Sequence, residues 1–133
     1  MSCKLLFAAL LGITAPLAAS AAEQQRIETI TAHVHAAMAK AADTLPTARS
    51  HFHHVINCIV DPDNKLYDAR AENPCAGMGS SAGALHDEAK TDALKKELQH
   101  AVEIADRGAH SKSLEIAHIY AEWLAEVLQH ASS

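Results

Sequence analysis

The segment HFHHVINC, His51 to Cys58, places three histidines and a cysteine within about two helical turns. Imidazole is the commonest side-chain metal ligand and suits copper, nickel, zinc and iron. At about 100° per residue, Phe52, Val55, Ile56 and Ile59 share one face, and His51, His54 and Cys58 run along its flank. His51 and His54, three residues apart, can share one ion, whereas His53 points to the other flank. The chain carries ten histidines, all in predicted helices or at their ends, so they are not a terminal tag.

A ligand pair on one helix needs a partner on another, and the chain supplies helices to carry it. Alanine-rich segments with few aromatics predict four. The first spans about Glu23 to Thr44, with Ile27, Ile30, Val34, Met38, Ala41 and Leu45 as its inward stripe. The second spans about Thr47 to Val60, just after Pro46. The third runs from about Ala84 to Arg107, with Thr91, Leu94, Leu98, Ala101, Val102 and Ala105 inward and Gly108 as its stop. The fourth runs from about Ser111 to His130, burying Ile116, Tyr120, Trp123, Leu124, Val127 and Leu128. Two hairpins with short connections predict an all-α fold, an up-down-up-down antiparallel four-helix bundle.

A weak internal repeat aligns His35 with His100 and His53 with His118, so that His35 and His53 sit at one level of the first hairpin and His100 and His118 at one level of the second. The candidate ligands are therefore His33, His35, His51, His53, His54, His100 and His118. The first site expected joins His51 and His54 to His33 or His35, and a second involves His100 and His118. The repeat places His53 opposite His35.

The first residues, MSCKLLFAALLGITAPLAASAA, have a basic Lys4, an apolar run and small residues before Glu23, the layout of a secretory signal peptide spanning 1–22. The run is too short to span a bilayer. The domain expected is then 23–133, in the periplasm or secreted. Removing Lys4 takes the formal net charge from −5 to −6, and no basic stripe or aromatic row is present, which argues against nucleic acid as a partner.

Export leaves two cysteines, Cys58 and Cys75, in an oxidising compartment where a pair usually bonds. A disulfide there would withdraw Cys58 as a thiolate ligand. It would also tether the long irregular segment between helices two and three, which is rich in Asp, Asn, Pro, Gly and Ser. Asp61, Asp63 and Asn64 resemble part of a calcium loop, but its glycine and bidentate glutamate are missing, so turn chemistry explains them.

Other chemistries fit less well. Glu97 with His100 and Glu115 with His118 are Glu-x-x-His pairs, the spacing of carboxylate di-iron bundles. Such a site needs a glutamate from each remaining helix, and none lies between Thr47 and Val60. No Cys-x-x-Cys-His haem motif, Gly-x-Ser-x-Gly elbow or phosphate loop occurs, so no enzymatic activity is expected.

From Leu98 to Ala131 the chain resembles small exported His-rich metal-binding proteins built from HAxxA units, matching at His100, Ala101, Gly108, His110, His118 and Ala121. Its centre resembles a group of secreted bacterial helical proteins with His-His-x-x-Asn-Cys and Asn-Pro-Cys, matching His53, His54, Asn57, Cys58, Asn73, Pro74 and Cys75. The resemblance implies a periplasmic binder of a divalent metal, copper or nickel above all and zinc as well, without catalytic activity. The competing expectation is a structural module that presents the tethered loop 61–83 to a protein partner, with Tyr67 and Met78 as exposed anchors.

Overall fold

The computed structural model describes residues 26–133; the expected signal peptide and the start of the first predicted helix lie outside them. The described residues form helices and connections without a strand. The helices are α1 (Ile27–Ala41), α2 (Leu45–Ile59), α3 (Ala84–Asp87), α4 (Asp92–Ala109) and α5 (Leu114–Ala131). α1 packs against α2 and α5, and α4 packs against the same two helices. None of the described helices is long and apolar enough to cross a membrane.

Local signals set the helix starts. The hydroxyls of Thr44, Thr91 and Ser113 accept from the backbone N–H groups of Thr47, Leu94 and Ile116, satisfying donors that have no partner within the helix. α1 has no such cap at Arg26. Its first turn is held from across the molecule by Glu88, whose carboxylate accepts from Glu28 N at 2.8 Å, from Thr29 N at 3.1 Å and from the Thr29 hydroxyl. A carboxylate at a helix N-terminus is favoured by both the free N–H groups and the helix dipole. This contact also explains why the expected third helix is broken. Residues 88–91 leave the helical path, Glu88 reaches α1, and Thr91 starts α4 afresh.

The core is built from Phe52, Val55, Ile56 and Ile59 of α2, Leu98 and Ala105 of α4, Leu124 and Leu128 of α5, and Ala32, Ala36 and Ala39 of α1. Thr91, expected inward, is exposed and caps α4, whereas the α2 face and the α4 face from Leu94 onward follow the expected periodicity. α1 does not. Its expected inward residues Ile27, Ile30, Val34 and Met38 are 43–51% exposed, and the three alanines on the opposite side are fully buried. Small side chains let the α1 backbone approach α2 and α5 closely, leaving no room for the larger stripe. In α5, Ile116 and Trp123 are likewise exposed, while Ala117 and Ala121 take the buried positions.

Gly108 corrects another expectation, because α4 continues through it to Ala109. A Cβ at Gly108 would collide with the ring of Phe52, which is fully buried. The glycine is there for the close approach of α4 to α2. Gly108→Ala should therefore cost about 1–3 kcal/mol by overpacking, read as a lower urea midpoint with unchanged slope.

The connection from α2 to α3 is fixed at several points. Cys58 and Cys75 are bonded, with Cα atoms 5.1 Å apart. The Asn57 side chain, buried at the end of α2, donates to the carbonyls of Asp68 at 3.0 Å and Glu72 at 3.3 Å and accepts from Asp68 N at 3.0 Å. Asp61 and Asn64 accept from backbone N–H groups two residues on, which is the turn chemistry expected of them. Gly83, with φ +82°, ends the loop against the backbone of Ile59 and Val60. Tyr67 and Met78 are partly buried against the core rather than exposed.

Candidate metal centre

α1 and α2 bring three imidazoles to one point. His35 Nδ1 lies 3.2 Å from His51 Nδ1 and 3.3 Å from His54 Nδ1, and one nitrogen from each of the three rings falls within 4.8 Å of the others. Ring centroids are 4.9–5.5 Å apart. Two ligands on a tetrahedral ion with bonds of about 2.0–2.1 Å are separated by about 3.3 Å. The two closest nitrogen separations have that value. Without an ion, each close pair needs a proton on one of its two nitrogens, or two lone pairs face one another. An ion at the centre would accept all three lone pairs.

The electrostatics favour the neutral, ligating form. Burial pushes the pKa of His35 down to about 4, assisted by His54 and His51, while the carboxylate of Glu72 opposes the shift. Burial lowers His51. It also lowers His54, with His51 acting in the same sense and Glu72 against it. All three rings are only partly buried, so solvent and an arriving ion can reach them.

Among the described residues this is the one group of three or more His, Cys, Asp or Glu side chains close enough to hold an ion. The other expected ligands go elsewhere. His53 lies on the opposite flank of α2, where its Nδ1 is 3.7 Å from Asp68 rather than beside His35. His33 is partly buried and is not in the group. His118 Nε2 meets the Ala42 carbonyl at 2.9 Å, across the α1–α2 connection. His100 is exposed, with its Nδ1 3.8 Å from Glu103. His100 and His118 thus do not form a second cluster, and the internal repeat does not translate into paired histidines. Cys58, bonded to Cys75, is not a ligand.

Glu72, whose carboxylate opposes the lowering of His35 and His54, is a residue to which the sequence reading gave no role. Its only sequence signal is its place three residues before Cys75, which brings it back toward α2. Compared with protein-family models, with curated proteins and with solved structures, the chain matches none.

Proposed function

We propose that this protein is a periplasmic or secreted antiparallel four-helix bundle that buffers or carries a divalent transition metal, with no catalytic activity. Copper, nickel and zinc are the metals that three neutral imidazoles suit. The observation that carries this reading is the convergence of His35, His51 and His54, with His35 at tetrahedral ligand separation from each of the other two and all three ligand atoms within 4.8 Å. Two of these residues stand on α2 and one on α1, packed helices that fix the rings before any ion arrives. Preorganisation of this kind reduces the ordering cost of binding.

The test is calorimetric titration of the tag-free protein with copper, nickel and zinc at pH 7. Binding of one ion per chain, with Kd below about 10 μM for at least one metal, is expected. If no metal reaches that affinity, the reading fails.

The pH dependence gives a second check. An ordinary imidazole site loses affinity as pH falls through about 6.5, because protons compete for the lone pairs. Here burial lowers the pKa of all three rings, which favours their neutral form. Affinity should stay level from about pH 8 to 6.5 and decline only at lower pH. A titration series in which affinity already falls tenfold between pH 8 and 7 would contradict this.

A further inference from the structure

Three imidazoles occupy three corners of a tetrahedron and leave the fourth open. The loop after α2 returns to the same stretch of helix that carries His54. Asn57, three residues beyond His54, holds the Glu72 carbonyl at 3.3 Å. Cys75, three residues beyond Glu72, is bonded to Cys58, four residues beyond His54. The backbone is therefore tied to α2 at Glu72 itself and again three residues later, at positions about one helical turn from His54.

Its side chain is not tied. Glu72 is exposed, and its carboxylate makes no hydrogen bond or ion pair among the described residues. It stands outside the group of ligand atoms that lie within 4.8 Å of one another. Three rotatable bonds separate the fixed backbone from a carboxylate that has no other partner.

We infer that Glu72 is the fourth ligand, closing His35, His51 and His54 into a three-histidine, one-carboxylate shell around a divalent ion; this rests on the metal-binding reading above. The carboxylate swings from solvent to the ion, and its negative charge offsets half the charge of a divalent cation among otherwise neutral ligands. A hard, anionic oxygen beside three nitrogens selects zinc(II), nickel(II) or copper(II) over the soft copper(I) ion. Four protein ligands also leave no open position for a reacting water, the arrangement of a site that holds its metal.

The test is zinc calorimetry at pH 7 on the wild type, Glu72→Gln, His35→Ala and Asp63→Asn. Asp63→Asn removes the same charge from the same exposed loop, and circular dichroism checks that each variant keeps its helices. Glu72→Gln should bind one zinc per chain about 10- to 100-fold more weakly than the wild type, and Asp63→Asn should match the wild type. Copper(I) affinity, measured anaerobically by competition, should be the same in Glu72→Gln and wild type. Cobalt(II) bound to the wild type should show visible bands that shift in Glu72→Gln. If Glu72→Gln keeps wild-type zinc affinity while His35→Ala loses it, the triad stands and Glu72 is not a ligand. An equal loss in Asp63→Asn also overturns the assignment, because general loop charge then explains the effect. If the wild type takes up no zinc, nickel or copper, the metal reading itself fails and this inference with it.

Discussion

Replacing His35 with alanine should abolish high-affinity metal binding, with a loss of at least about 100-fold, since removing groups that merely orient a ligand already costs about 10- to 100-fold. His35 is the single imidazole that α1 contributes, and it lies at 3.2–3.3 Å from both α2 nitrogens. Without it, His51 and His54 remain as a two-ligand site on one helix. The fold should survive, because the ring is only partly buried and the contacts that seat α1 are made by Ala32, Ala36 and Ala39. Replacing His51 and His54 together should have the same effect on binding. Substituting alanine for His100 should leave affinity unchanged, as its ring is exposed and outside the triad. Calorimetry on the three variants, with a urea melt of each, separates lost ligation from lost structure.

The second large effect concerns the disulfide. Converting Cys58 and Cys75 to serine should lower stability by about 3 kcal/mol, the chain-entropy value for a bridge spanning 17 residues. The measurement is the urea midpoint of the double variant against the oxidised wild type. The triad lies wholly on α1 and α2, so the variant should still bind metal. Its zinc affinity should fall toward that of Glu72→Gln, because one of the two ties on the Glu72 segment is gone. Asn57 keeps the other.

Local chemistry made much of this legible beforehand. The pairing of Cys58 with Cys75 followed from their number and the expected compartment, and the buried face of α2 followed from helical spacing around Phe52. His51 and His54 followed from the same wheel. What the sequence could not decide was which residue α1 would bring to them. His33 and His35 stand about 200° apart on the helix, so only one can face α2, and the handedness of the hairpin chooses.

The inward face of α1 was misread for a related reason. Hydrophobicity ranks Ile30, Val34 and Met38 above alanine, but the fit between closely packed helices rewards small volume, and Ala32, Ala36 and Ala39 fill that gap. Gly108 read as a helix stop because its partner, Phe52, is distant in the chain. Glu88 gave no local sign that it would cap a helix 59 and 60 residues away. In each case the deciding contact is long-range, and no window along the chain contains both partners.

The most direct measurement is anomalous diffraction at the zinc absorption edge from crystals of the protein grown with one equivalent of zinc. The account predicts a single strong peak within about 2.0–2.1 Å of one nitrogen from each of His35, His51 and His54. A peak beside His100 or His118 with none between α1 and α2, or a triad that stays empty at saturating zinc, would contradict it.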